Sequence, residues 1–157
     1  MTSIHIPPLT EEEIKNWPKE PLIDLEKPFV DRRGEIQPLV DKLMRSAVMI
    51  KSKAGSLRAN HYHKTDWHYC YVISGKINYF YKKLNSKKKP ELIIVEKGNM
   101  VFTPPLVEHC MKFPEDTLFL TLSRNPRDQE TYEKDVVRTN LIDSDDSISW
   151  RPENEKG

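Results

Sequence analysis

With 157 residues the chain has room for one folded domain and its trimmings, and not for two catalytic domains. Its 25 Lys and Arg balance 24 Asp and Glu to a formal charge of +1, which removes the electrostatic footprint of a nucleic-acid binder or a membrane-surface protein. No apolar run approaches the ~18 residues of a spanning helix, and the opening MTSIHIPPLTEEE lacks the layout of a signal peptide, so a cytoplasmic chain without nucleic-acid or membrane partners is expected. The two cysteines, Cys70 and Cys110, lie in strand-like segments without zinc-site spacing and read as buried thiols in a reducing compartment.

In chain order, residues 1–28 form a proline-rich arm with one helical fragment, LTEEEIKNW, in which Thr10 and Glu13 make a capping box ahead of Ile14 and Trp17. From Phe29 the texture changes to short apolar or alternating runs: AVMIKS, HYCYVIS, KINYFYKK, ELIIVEK, NMVFTP, HCMKF and TLFLTLS. They are separated by Gly, Pro, Asn, Asp and Lys clusters, KLNSKKKPEL reading as a charged hairpin tip. Strands about ten residues apart with no helix among them predict an all-β sandwich or barrel over residues 29–142. After Arg124, NPRDQETYEKDVVRTNLI is expected to hold one short strand, and residues 143–157 are a polar C-terminal tail.

Chemistry concentrates in GSLRANHYHKTDWHYCYVISG, Gly55 to Gly75, which holds three of the five histidines. His61 and His63 are two apart, so in a strand both side chains leave one face. His68, Cys70 and Val72 share a face by the same parity, leaving Tyr69, Tyr71 and Ile73 opposite. A fourth imidazole, His109, follows GNMVFTPPLVEH, where Pro104 and Pro105 force a turn. Four imidazoles from two hairpins are therefore able to converge.

The spacings Gly55–His61-x-His63–His68–Gly75 and Gly98–Pro104–His109 resemble the two motifs of the cupin superfamily, over roughly Ala47 to Leu122. His68 stands at the usual glutamate, Leu106 where glycine is frequent and Phe113 where asparagine is frequent. The resemblance implies a double-stranded β-helix, a cupin jelly-roll barrel, with His61, His63, His68 and His109 as ligands of one divalent transition metal. An all-imidazole set suits Fe(II), Ni(II), Cu(II) or Zn(II) better than the oxygen-loving Mg or Ca. Asp66 is placed to bond the far nitrogen of a ligand histidine.

DRRGEI at Asp31 to Ile36 and RANHYHK at Arg58 to Lys64 are also similar to cupins that act on nucleotide-linked 4-keto sugars, the 3,5-epimerases and 3,4-ketoisomerases. That resemblance implies a metal-free proton transfer with His61 or His63 as base, Arg58 as partner of a phosphate or enolate, and Tyr79, with Tyr71 and Tyr81 as alternatives, as donor. The expected activity is thus a nucleotide-linked keto-sugar isomerase or epimerase on a small-molecule substrate. A rival is an Fe(II)-dependent dioxygenase whose apolar pocket Met49, Met100, Phe102, Met111 and Phe119 would supply, and a third reading is a non-catalytic cupin that binds a small ligand. Arg124 and Arg127 read as solvated or ion-paired rather than phosphate-gripping. The aromatic face of Trp67, Tyr69 and Tyr71 is too large to leave wet, so a homodimer interface is expected there, joined by Trp17 and Leu22 of the arm.

Overall fold

The structure, a computed structural model, describes residues 6–142; the polar tail at 143–157 lies outside them. Helix α1 (Glu11–Lys15) is followed by strands β1 (Phe29–Asp31), β2 (Gly34–Ile36), β3 (Ser46–Ser52), β4 (Leu57–His63), β5 (His68–Ser74), β6 (Lys76–Lys83), β7 (Glu91–Glu96), β8 (Met100–Thr103), β9 (Val107–Lys112) and β10 (Thr117–Ser123), then helix α2 (Gln129–Asp135) and strand β11 (Val136–Arg138). All seven apolar runs are strands. Two antiparallel sheets, ordered β3-β10-β5-β8 and β11-β4-β9-β6-β7, face one another, with β1 and β2 as a separate exposed hairpin. This is the double-stranded β-helix.

Strand parity decides what fills the barrel. Cys70, Val72, Ile77, Tyr79, Val95, Val101, Met111, Phe113 and Phe119 form one core between the sheets, Phe113 and Phe119 stacking at 5.6 Å. Phe113, at a position where cupins often carry asparagine, is here a core side chain. Gly75 turns β5 into β6 at φ +85°, and a Cβ there would collide with the Asp116 carbonyl and Thr117, so both the turn and the close approach require glycine. Leu106 adopts φ +62°, which explains glycine's frequency at that position in cupins.

The aromatic face is covered within the chain itself. Trp67, Tyr69, Met100 and Phe102 form a second cluster on the outer face of the four-stranded sheet, covered by Leu9, Trp17, Ile23, Leu25, Leu39, Val40 and Met44 of this same chain. The arm also blunts the sheet edge: Phe102 N–H donates to the Pro21 carbonyl at 2.7 Å and Ile23 N–H to the Met100 carbonyl at 2.9 Å, giving β8 the partner an edge strand lacks. The exposed-aromatic argument for a dimer therefore fails, because burial in the arm already removes that apolar area from water.

One ion pair fastens the arm. The capping box is present, with Glu13 N–H donating to the Thr10 hydroxyl and Thr10 N–H to the Glu13 carboxylate. The same carboxylate accepts from Arg124 Nε at 2.6 Å and from Trp67 Nε1 at 2.7 Å. Arg124, 3% exposed, donates also to the carbonyls of Pro7 and Pro8. Arg124 is thus ion-paired, as expected of it, though buried rather than solvated.

Burial pushes the Glu13 carboxyl up, but the bonds from Arg124, Thr10 and Trp67 outweigh it and bring its pKa from 4.5 down to about 2. A pKa depressed in the folded state adds stability that is full above about 4.5 and is lost as pH falls toward about 2. Thermal unfolding across pH should show it: Glu13→Gln melts well below the native chain at pH 7, and the gap closes between pH 4.5 and 2. Glu13→Ala, which leaves Arg124 buried and uncompensated, should cost about 3 kcal/mol at neutral pH.

Candidate active site

β4 carries His61 and His63 into the mouth of the barrel by an irregularity. Ala59 and Asn60 both lie in the left-handed region, φ +67° and +64°, and the register with β9 slips there, so that Arg58 pairs with Met111 while His61 pairs with His109. Arg58 and His61 are an odd number of residues apart, yet the bulge puts both on the inner face. Asn60 is held by donating from Nδ2 to the Ile142 carbonyl and accepting the Ile142 N–H.

His68 enters from β5 and His109 from β9, completing the convergence the parity predicted. Ring centroids are 4.8 Å apart for His61 and His63, 4.7 Å for His61 and His109, and 5.4 Å for both His63 with His68 and His68 with His109. Their donor atoms divide into two overlapping groups, His61, His63 and His109 in one, His63, Asp66 and His68 in the other, each within 4.8 Å. His68 thus joins Asp66 rather than a single fourfold set.

Two histidines are oriented from behind. His63 Nδ1 lies 3.0 Å from Asp135 Oδ2, and His109 Nδ1 lies 3.1 Å from the Val107 carbonyl. Both partners accept, so each Nδ1 carries a proton and each Nε2 is the ring nitrogen left for other partners. Burial, and then the neighbouring imidazoles, hold His61 and His68 well below the usual histidine range, and burial and then His63 bring His109 down to about 3. At neutral pH these three are acceptors.

Asp135 is the organising carboxylate. Besides His63 it accepts from Thr65 N–H at 2.8 Å, the Thr65 hydroxyl at 2.6 Å and Asp66 N–H at 3.2 Å. Burial pushes its carboxyl up, but the bonds from His63 and Thr65 prevail and hold it ionised. Asp66 shows the opposite balance: burial dominates, and despite His63 and the Asn125 N–H it rises to about 6. Two neighbouring carboxylates thus have their proton affinities pushed apart.

The pocket these residues line has a volume of about 140 Å³. Arg58 and Arg127 line it with Thr121, Ser123 and Tyr132. Arg58 is braced by Nε to the Ser52 hydroxyl at 2.6 Å and Nη2 to the Lys51 carbonyl at 3.0 Å. Arg127 lies 4.9 Å over the Tyr132 ring, which itself stands 5.8 Å from His63 and 6.3 Å from His61.

Tyr79 does not reach this pocket. It stacks against His109 at 6.2 Å, but its hydroxyl shares a 2.6 Å hydrogen bond with Thr103, and burial raises its pKa above the usual tyrosine range. Its side chain follows the inner-face parity of β6 into the packed core and is not among the residues lining the pocket, so it is replaced as candidate donor. Tyr132 takes that place, its phenol also raised by burial. Of the apolar residues expected to flank a metal, only Met111 and Phe119 line the pocket; Met49 is exposed on the edge strand, and Met100 and Phe102 face the arm.

Sequence reasoning missed helix α2, which carries Tyr132 and Asp135, by reading its segment as strand alone. The mark was there. Asp128 caps the helix by accepting the Thr131 N–H at 3.0 Å, and Glu130 pairs with Lys134 at i, i+4. β11 follows at once and zips onto β4, Val136 opposite His63.

This is a cupin-type barrel fold with a histidine-lined mouth flanked by helix α2. No protein-family model and no curated protein sequence matches the chain. Solved structures share the fold. A sugar 3,4-ketoisomerase, QdtA, from Thermoanaerobacterium thermosaccharolyticum in complex with TDP is 21% identical, with a TM-score of 0.61 over 75% of this chain and 86% of that one. A dTDP-4-dehydrorhamnose 3,5-epimerase from Sulfolobus tokodaii is 16% identical, with a TM-score of 0.62 over 83% and 89%. ChmJ, a 3'-monoepimerase from Streptomyces bikiniensis in complex with dTDP-quinovose, is 12% identical, with a TM-score of 0.58 over 69% and 65%. At these identities the likeness establishes the fold. Among the described residues no helix is long and apolar enough to cross a membrane.

Removing the Asp135 carboxylate strands four donors, and the Asp135→Ala variant should lose about 3 kcal/mol against chemical denaturation. Asp135→Asn, which restores an acceptor oxygen without the charge, should recover part of that loss.

Proposed function

We propose that the chain is an isomerase of the ketoisomerase or epimerase type acting on a nucleotide-linked keto sugar. The observation that carries this reading is the His63–Asp135 pair in a pocket that also holds two arginines. Asp135 takes the Nδ1 proton, so Nε2 of His63 faces the pocket as a base, and the carboxylate balances the imidazolium formed when that base takes a proton. The C–H bond next to the substrate's ketone breaks, its proton passes to Nε2, and its electron pair moves onto the carbonyl oxygen as an enolate.

Arg58 supplies fixed positive charge to that oxygen in a pocket where water is scarce, and so stabilises the transition state more than the ground state. For a ketoisomerase, the adjacent hydroxyl gives its proton to the enolate oxygen, its own oxygen becomes the new carbonyl, and the proton held on Nε2 goes to the former carbonyl carbon; for an epimerase, a proton is delivered to the opposite face of the original carbon while the enolate reverts to the ketone. The Tyr132 hydroxyl is the candidate second donor. Arg127 is the cation nearest that tyrosine and suits the diphosphate. The solved ketoisomerase bound to TDP supports this substrate class.

A second reading is favoured by the imidazole cluster. His61, His63 and His109 present donor atoms within 4.8 Å of one another, and orientation of ligand imidazoles by a carboxylate or carbonyl on Nδ1 is the usual backing of a metal site. These residues fit one divalent transition ion, with His68 and Asp66 beside it. Such an ion would supply Lewis acidity to a ketone or enolate oxygen, and with iron it would open the dioxygenase alternative.

Two measurements separate the readings. In D₂O, native protein should wash the α-proton out of a nucleotide-linked 4-keto-6-deoxy sugar without oxygen, His63→Ala should slow this by about 10³-fold, and Arg58→Ala by a smaller factor. No exchange across a panel of such sugars, with Fe(II)-dependent oxygen uptake instead, would sink the isomerase. Elemental analysis of protein prepared without tag or chelator tests the ion: one per chain, lost in His63→Ala, supports it, and substoichiometric metal unchanged by added Fe, Ni or Zn removes it.

A further inference from the structure

We infer that the N-terminal arm is part of the active site's support, and that Arg124 is the positioning residue through which the docked arm holds Asp135 behind His63. The inference rests on the reading of His63 as the working base.

A continuous set of buried and part-buried hydrogen bonds joins the two places. Arg124 Nη1 donates to Asn125 Oδ1 at 2.9 Å, and Asn125 Nδ2 donates to the Thr65 hydroxyl at 3.0 Å. The Thr65 hydroxyl donates to Asp135 Oδ1, and Asp135 Oδ2 faces His63 Nδ1. A parallel branch runs through the backbone: Arg124 N–H donates to the Trp67 carbonyl at 3.0 Å, while Asn125 N–H donates to Asp66 Oδ1 at 2.8 Å and Asp66 N–H to Asp135 Oδ2. Arg124, Asn125, Asp66 and Asp135 are all buried.

The direction of dependence follows from what Arg124 needs. A guanidinium this deep is tolerable only with acceptors on most of its five N–H groups. Its guanidinium donates five hydrogen bonds, and four of them, two to Glu13 and one each to Pro7 and Pro8, end on the arm. The fifth is Asn125. With the arm away, one neutral amide oxygen cannot hold a buried cation, and the guanidinium must turn to water. Asn125 then loses the bond that fixes its amide, Thr65 loses the donor that orients its hydroxyl, and the carboxylate behind His63 loses its brace. The proximal cost of such loosening is geometric, since a base displaced by about 1 Å forfeits on the order of 10² in rate.

The test uses the full chain labelled with ¹⁵N-histidine, so that it does not depend on having the right sugar. The Nδ1–H of His63, assigned by its absence in His63→Gln, should give a low-field resonance protected by Asp135. In Glu13→Gln, in Arg124→Lys and in the double variant, all checked as folded by circular dichroism, that resonance should broaden and exchange faster with solvent. If the isomerase reading holds, kcat for α-proton exchange should fall about tenfold with KM within about twofold, since none of these residues touches the substrate. An unchanged resonance and unchanged kcat in all three variants overturns the inference. A resonance that responds in protein that exchanges no sugar proton upholds the positioning and overturns the isomerase reading instead. Glu13→Gln, which alters only the arm, covers the case in which changes at Arg124 unfold the chain.

Discussion

A carboxylate withdrawn from water must be met by donors or protonated, and in this protein Asp135 is met by donors from every side. The imidazole of His63, the backbone and hydroxyl of Thr65 and the backbone of Asp66 all converge on its two oxygens. These groups sit about 70 residues earlier in the chain, so satisfying one buried charge ties the C-terminal helix to the β4–β5 turn. The helix cannot lift without stranding that charge, and the mouth of the barrel is closed on the side where His63 stands.

The imidazoles depend on the same closure. Four rings, each within about 6 Å of at least two others, would repel if protonated, and burial suppresses that charge on His61, His68 and His109. The result is a set of neutral acceptors facing Arg58 and Arg127 across a small pocket. A site of this kind accommodates an anionic oxygen at the arginines and takes up a proton or a cation at the histidines. Both readings of the function use that one electrostatic asymmetry.

The arm shows how apolar area finds a cover within one chain. An outward row of Trp67, Tyr69, Met100 and Phe102 needs a cover, and a second subunit and a segment of the same chain satisfy that need equally well in area. Here a segment of the same chain provides cover, Pro21 and Ile23 also satisfy the edge of β8, and Glu13 reaches a buried arginine that no other carboxylate among the described residues neutralises. Burial of the cluster and satisfaction of the ion pair are one event.

Alternation and spacing determined the seven principal strands and which residues share a face, His61 with His63 and His68 with Cys70, because a period of two in a strand maps directly onto two faces, while the barrel that gathers the four histidines was implied by the resemblance of their spacings to the cupin motifs. The capping box of Thr10 and Glu13 was legible for the same reason, being a contact between residues three apart. Tertiary structure alone decided the rest. Whether Tyr79 faces a pocket or a core depends on what lies across the barrel, and there it is Thr103. Asp135 and Tyr132 became site residues only when a helix from the far end of the chain folded over β4, and Arg58 joined His61 on the inner face only through a two-residue bulge that no alternation pattern encodes. Each of these depends on a contact between segments distant in sequence, or on a local break of the period, and a strand's own pattern carries no record of either.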